Sequence, residues 1–566
     1  MTAPAGSASL ASAVEARLTT WAGERVAERL WDRDGSLWAA SGKSPDEVAA
    51  WLGWLDLPVA MRERIPELER VAREVRDDGY TRAAVLGMGG SSLAPELFSR
   101  VFGDALGGTR PGAAGLGLRI LDSTHPDAVR GFREWAESAR TIFCVSSKSG
   151  STTEPNAFHA AMSAHAPALD FIAITDPGSS LADIARSQGF RAIVEGPPDV
   201  GGRYSALSVF GLLPAALHGV GLQELLARAA VMADACRRPA PENPGLQLGA
   251  AMAEAALSRR DKLTILTTPR LASLGDWIEQ LVAESTGKAG RGIVPIVGEP
   301  LGAAEAYGAD RQFVVVRLAG DDDSGATSLT AELERLGHPV QTLELADPFD
   351  IGAEFIRWEV ATAAAGIALG IDPFDQPNVQ EAKDATRALL DAYRAQGALA
   401  QPVPLVAEPG IAAYGDTAVL DDEPVTVDGA LRALLESARP SDYFALLAYL
   451  PADPGIVEQL QRLRALVRDR LGLATSLGIG PRFLHSTGQL HKGGPPSGIF
   501  LQLTADPRRD LPIPGWPESF GVLIAAQAAG DLAALQGRGR HVLRLHLADL
   551  EAGLTRLEAM MHATLG

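Results

Sequence analysis

The sequence predicts an α/β protein with an N-terminal helical segment, two doubly wound parallel-sheet units, and a third α/β unit that looks like a partial repeat. Three observations predict it. Short β-branched or apolar runs alternate with helical stretches, the pattern of parallel strands joined by crossover helices. The alternation restarts after a proline-rich joint at 238–244. Residues 333–347 also align without gaps against 535–549, sharing Gly, Val, Leu, Leu, Ala and Asp at a helix end and along a strand, which favours duplication.

At 566 residues, and ~100–200 residues per domain, the chain holds about three or four domains. The expected limits are a helical segment over 1–78, α/β units over 79–245 and 246–396, a linker over 397–418 rich in Pro, Ala and Gly, and the third unit over 419–566. Helical periodicity from Ser7 to Arg76 is anchored by Trp21, Leu30, Trp31, Leu37, Trp38, Trp51, Leu52, Trp54 and Leu55, and broken by Pro45 and Pro58. The first unit's strands are expected at 83–86, 118–121, 141–145, 171–174 and 191–194. Those of the second are expected at 262–267, 292–297, 313–318 and 339–345, before a long helix over 355–369. The third unit's strands are expected at 443–449, 499–503, 521–525 and 541–547.

Hydrophobic residues make up 46% of the chain, enough for several cores. Lys and Arg total 51 against 70 Asp and Glu, a net charge of −19, so a phosphate-bearing ligand must be held by local donors against an unfavourable global field. That balance argues against nucleic acid or an anionic membrane as partner. Cys144 and Cys236 are too few for a disulfide scaffold or a four-cysteine zinc site, and read as reduced core thiols. The N-terminus lacks the pattern of a secretory signal, and no apolar run reaches the ~18–20 residues that span a bilayer. The expectation is a soluble, cytoplasmic protein.

Gln280 and Glu284 share a helix face one turn apart, ahead of Ser285-Thr286-Gly287-Lys288. Glu284, among apolar neighbours, is a candidate base; the plainer reading is a solvated helix face closed by a glycine. Ser146-Ser147-Lys148-Ser149-Gly150-Ser151-Thr152-Thr153-Glu154 follows an apolar strand and opens a helix. Orphan N–H groups at a helix start, the helix dipole and several hydroxyls suit a phosphate, and Lys148 would add a point charge.

In Gly87-Met88-Gly89-Gly90-Ser91-Ser92, Ser92 occupies the third-glycine position of a dinucleotide fingerprint. There Gly89 and Gly90 are expected to let backbone approach a sugar, with Ser91 bonding to it. Arg203, in Gly201-Gly202-Arg203-Tyr204-Ser205, is suited to a developing oxyanion. Lys383 sits two helical turns past Gln376 of Phe374-Asp375-Gln376-Pro377. His485 and His491, six residues apart in His485-Ser486-Thr487-Gly488-Gln489-Leu490-His491, miss the spacing of a helical metal pair, so general acid or base work suits a histidine here better than a metal.

Taken together these motifs resemble the glucose-6-phosphate isomerase family, which is built of paired sugar-isomerase (SIS) domains. The resemblance covers 81 to about 387, and rests on the glycine turn at 87–91, the 147–152 loop, the 201–205 turn, the Gln280–Lys288 helix end and a second signature from Phe374 to Lys383. It implies that Glu284 shuttles a proton between C1 and C2 through an enediol, with Arg203 stabilising the negative oxygen, while Lys383 and a histidine open the sugar ring. Ser147, Lys148, Ser149 and Thr152 would hold the 6-phosphate, with Gly90 and Ser91 near the sugar. Gln280 and Gln376 would orient sugar and phosphate. No metal or nucleotide is implied.

Where the family has Gly and Glu flanking the valine of its second signature, this chain has Asn378 and Gln380. The family's ring-opening histidine precedes that signature and often serves a neighbouring subunit. Here Leu484-His485-Ser486-Thr487-Gly488-Gln489 lies in the third unit instead. The third unit is therefore expected to stand in for a dimer partner, either within a monomer holding an internal pseudo-dimer or within a homodimer. The layout looks most like the isomerase half of fused transaldolase–isomerase proteins; no ~250-residue barrel is visible, so isomerase activity alone is expected. The alternatives are a non-catalytic SIS sensor, an isomerase of another hexose 6-phosphate, and an NAD-dependent enzyme.

Overall fold

A computed structural model describes residues 5–103, 115–399, 402–416 and 425–566. The helices of the N-terminal segment include Ala5–Gly23, Val26–Trp31 and Leu57–Asp77. Trp21, Leu30, Trp38, Leu52 and Trp54 are buried in one core with the first two sheets, whereas Trp51 is exposed. Two indoles tie the segment down: Trp31 Nε1 donates to the Cys236 carbonyl and Trp38 Nε1 to that of Ala363, each at 2.9 Å.

The first sheet contains β1 (Arg82–Gly87), β2 (Gly117–Leu121), β3 (Thr141–Ser146), β4 (Phe171–Thr175) and β5 (Ala192–Glu195), all parallel in the order β2-β1-β3-β4-β5. The second contains β6 (Lys262–Thr267), β7 (Val294–Val297), β8 (Arg311–Leu318) and β9 (Val340–Leu345), parallel in the order β7-β6-β8-β9. The third contains β10 (Val406–Glu408), β11 (Ile411–Gly415), β12 (Tyr443–Tyr449), β13 (Ala474–Ile479), β14 (Gly498–Ala505) and β15 (His541–Leu547). Its parallel part runs β13-β12-β14-β15, and β11 and β10 extend it antiparallel beyond β15. All three sheets therefore share the order second-first-third-fourth, which places a crevice at the carboxyl ends of the first and third strands of each.

The aligned segments 333–347 and 535–549 occupy matching places, since β9 and β15 are the fourth strands of their parallel arrays. Their shared glycines, Gly337 and Gly539, both turn the chain at positive φ, +84° and +64°. Their shared aspartates, Asp347 and Asp549, both cap the helical turn that follows by accepting a backbone N–H.

Two expectations are corrected. Residues 521–525 are no strand: Ser519 accepts from Val522 N and starts a continuous helix, Phe520–Gly537. The expected linker contains the β10–β11 hairpin, because Ile411 and Ala413 bury against the third core. β13, with its small residues, was not anticipated. The Phe520–Gly537 helix is the one among the described residues long and apolar enough to cross a membrane, and here it packs on the Val379–Gln396 helix and β15. Cys144 and Cys236 are buried free thiols, each pushed up to about 12 by burial.

The third unit docks on both others. Ala283 of the Ala272–Thr286 helix and Val294 and Ile296 of β7 share a core with Tyr443, Leu447, Phe483 and Leu490. Phe520 and Leu523 pack with Phe143 and Phe158 on the first unit. Between these contacts, the loop after β13 is held against the crevice of the first sheet.

Candidate active site

The Ala272–Thr286 helix follows β6 and carries both residues of the expected pair. Its Gln280–Glu284 face is not solvated: Gln280 is 3% exposed, and the Glu284 side chain 13%. Gln280 Nε2 donates to Glu284 Oε2 at 3.2 Å and to the His485 carbonyl at 2.8 Å. Gly287 ends the helix for a reason other than a left-handed cap, since its φ is −75°. A Cβ there would sit 2.4 Å from Leu490 Cα, so glycine lets the Gly488–Gly493 helix lie against the base helix.

Arg203 lies in the Gly202–Tyr204 turn and is 2% exposed. Its Nε donates to Ser285 Oγ at 2.7 Å, its Nη1 to Gln376 Oε1 at 3.0 Å, and its Nη2 to the carbonyls of Pro373 at 2.6 Å and Asp375 at 3.0 Å. Nη1 also faces Glu284 Oε1 at 3.5 Å. The guanidinium is thus fixed beside the carboxylate by neutral acceptors, an arrangement that keeps its charge available to a developing anion. Gln376 thereby helps to orient this arginine.

The glycine turn after β1 packs closely on two other segments of the chain. A Cβ on Gly90 would stand 1.9 Å from the Gly202 carbonyl, and one on Gly89, at φ +54°, 3.0 Å from the His485 carbonyl. These glycines bring protein backbone against protein backbone, fixing the Arg203 turn and the His485 segment. Ser91, at the same turn, is buried.

In the 147–152 loop, Ser147 Oγ donates to Thr152 Oγ1 at 3.1 Å and the Ser149 and Ser151 hydroxyls lie 3.0 Å apart. Thr152 is the N-cap of the Thr153–Ser163 helix, yet its side chain makes no cap bond, so its hydroxyl is not committed to capping. Lys148 departs from the expectation: its Nζ binds Asp176 Oδ2 at 2.5 Å and the carbonyls of Pro197 and Pro198, a tether within the first unit.

Ser149, Thr152, Glu154, Lys383, His485 and Gln527 line a cavity of about 370 Å³. Sequence reasoning passed over Glu154, whose place in the first turn of a helix reads as ordinary dipole compensation. It is buried, and its Oε1 lies 3.1 Å from His485 Nε2 and accepts from Gln527 Nε2 at 2.7 Å. Burial alone would raise this carboxyl; the charge of His485, its hydrogen bond and the farther Lys383 bring it below its usual value.

His485 ends the Arg482–His485 turn, and Arg482 anchors that turn. It pairs with Glu96 at 2.5 Å, Asp122 at 3.3 Å and Asp276 at 3.8 Å, from the other two units. Beside them burial and the charge of Asp276 push Glu279 up to about 8, with Ser486 Oγ 3.3 Å away. Gln489 closes the other side. It donates to the Gly287 carbonyl at 2.9 Å and to Asn378 Oδ1 at 2.7 Å, and accepts from Asn378 N at 2.8 Å. Asn378, the departure from the family signature, is thereby matched to the histidine-bearing loop. His491 is buried among Tyr443, Phe483 and Phe500, and burial holds it well below the ordinary imidazole range. Among the described residues no group of three or more His, Cys, Asp and Glu is placed to hold a metal ion.

No family model matches the chain. A glucose-6-phosphate isomerase of Rubrobacter xylanophilus is 30% identical over 392 residues, 61% of this chain and 90% of that protein. The glucose-6-phosphate isomerase of Symbiobacterium thermophilum is 32% identical over 395 residues, 60% and 87% of the two chains. Among solved structures, a hypothetical protein from Thermus thermophilus has a TM-score of 0.54 at 25% identity, covering 66% of this chain and 98% of its own. A glucose-6-phosphate isomerase from Chlamydia trachomatis shares the fold at a TM-score of 0.52 and 18% identity, covering 67% and 86%. With relatives matched over nearly their whole length, the chain belongs to the glucose-6-phosphate isomerase family.

Proposed function

We propose that the chain interconverts glucose 6-phosphate and fructose 6-phosphate, and that its three units complete the site within one chain. The observation that carries this reading is the meeting of two clusters at Gln280: Arg203 and Glu284 on one side, and His485 on Glu154 on the other. His485, assisted by Lys383, gives a proton to the ring oxygen as the ring C–O bond breaks, and the proton released by the C1 hydroxyl restores it, leaving the open aldose. Glu284 takes the C2 proton, the C–H electrons form the C1–C2 double bond, and negative charge moves to the C1 oxygen, where Arg203 stabilises it. A proton then passes from the C2 hydroxyl to the C1 oxygen, and return of Glu284's proton to C1 as the C2 carbonyl forms gives the ketose. Ser147, Ser149 and Thr152 hold the phosphate at the start of the Thr153–Ser163 helix, with Gly90 and Ser91 at the sugar's edge. Gln280 Oε1, buried with no hydrogen-bond partner, is an acceptor for a sugar hydroxyl.

Replacing Glu284 with Gln removes the base and keeps the size. Exchange of the C2 proton with solvent, followed by NMR in heavy water, should fall by about 10²–10⁴-fold. Exchange at the parent rate would remove Glu284 from the reaction. A coupled assay against mannose and glucosamine 6-phosphates tests the sugar.

The same arrangement supports a monomer: His485 reaches the site without a second copy. Specific activity should stay constant on dilution through any dimer dissociation, and a parallel loss would assign the site to the dimer. We read the shared strand order as two sugar-isomerase domains and a partial copy, and the compartment as the cytoplasm, in keeping with two free thiols and a phosphorylated substrate.

A further inference from the structure

The Phe520–Gly537 helix has cavities on two sides. Leu523 and Gln527 face the site described above, whereas Ile524, Ala525 and Ala528 border a second cavity of about 510 Å³ on the third sheet. The Val379–Gln396 helix is shared in the same way, with Lys383 and Leu390 on the first cavity and Leu389 and Tyr393 on the second.

Arg544 of β15 lines this second cavity. It is 7% exposed, its Nε donates to Gln502 Oε1 at 2.6 Å, and its Nη2 is buried with no hydrogen-bond partner among the described residues. The nearby carboxylates are committed elsewhere. Asp531 takes 2.6 Å and 3.3 Å bonds from Lys492 and Gln502. Asp510 accepts from the backbone of Leu511 and Gly521 and from Ser519, and Asp506 stands 3.5 Å from His546. Arg544 thus makes no ion pair among the described residues, although Asp531 lies near enough to favour its charge. An unpaired buried guanidinium N–H is costly, and its fork matches the oxygens of a carboxylate or phosphate.

We propose that this cavity binds a small organic anion, its oxyanion head on Arg544 and its apolar body against Leu389, Tyr393, Ile524 and Ala525. It is a binding place separate from the sugar-phosphate site.

Titration calorimetry on the full chain with phenylphosphate and, separately, 3-phenylpropionate tests the site and tells which head it prefers. At least one probe should bind once per chain, with an affinity unchanged by saturating fructose 6-phosphate; that competition arm alone rests on the isomerase reading. Arg544→Met should weaken binding by about tenfold or more, the worth of a charge-assisted hydrogen bond. Ala525→Trp, at the exposed mouth, should block the cavity while leaving the arginine in place, and decides the matter if the first variant does not fold. Absence of binding by both probes at millimolar concentration, displacement by fructose 6-phosphate, or parent-like binding in a folded variant would each overturn the proposal.

Discussion

The second and third sheets share one strand order yet bring different chemistry to the same place. In the second, the helix after the first strand carries Glu284; in the third, the loop after the second strand carries His485. Their second strands, β7 and β13, lie next to each other without forming one sheet. Across that seam Arg311 of β8 grips Glu299 with two bonds, at 2.6 and 3.1 Å, and reaches the Leu473 carbonyl at 2.9 Å. Glu299 accepts in turn from Thr475 N at 3.0 Å and Oγ1 at 2.6 Å. The difference teaches that a repeated topology leaves each loop free to specialise, provided that a rigid seam fixes the copies against each other.

Breaking the seam should have the largest effect. Arg311→Met strands a fully buried Glu299 and should cost about 3–5 kcal/mol, read by denaturant unfolding. A loss below about 1 kcal/mol would mean that the pair does not fasten the sheets. His485→Ala tests the specialised loop itself. Turnover starting from cyclic substrate should fall by about 10²-fold or more, the usual worth of a positioned acid. An open-chain substrate should be nearly unaffected, and equal losses for both would argue against ring opening.

The smallest effect concerns pH. Glu279 is raised from 4.5 to about 8, so it stays protonated in the fold where an unfolded chain ionises it. The stability this contributes is whole below 4.5 and is lost as pH rises through about 8. Glu279→Gln, neutral throughout, should flatten the curve and gain stability over the parent at pH 9 relative to pH 5. Parallel curves for the two proteins would show that Glu279 does not set this pH dependence.

Parallel strands buried on both faces are near-continuous apolar runs, which is why β3, β6 and β12 could be read from composition. Residues 521–525 offered the same apolar density, and only the Ser519 cap and the alanines beyond decide for a helix. The hairpin was invisible because its strands are short and are held through pairing with β15. At the site, Glu284, Arg203 and His485 were legible as motifs with a chemical role. Glu154 was not, since its partner His485 lies 331 residues away in the chain. Lys148 misled for the opposite reason: charge and local context suited a phosphate, but Asp176 from the next strand's end claims it.

The meeting of β7 and β13 has a further consequence for self-association. Exposed edge strands offer unpaired N–H and C=O groups to any passing strand, the usual start of aggregation. Here the β7 and β13 edges shield one another, the β10–β11 hairpin covers β15, and β9 is guarded by Pro339 at its entrance and the charged Glu344 along it. The arrangement that brings the His485 segment to the base helix therefore also keeps the β7 and β13 edges from growing into a larger sheet.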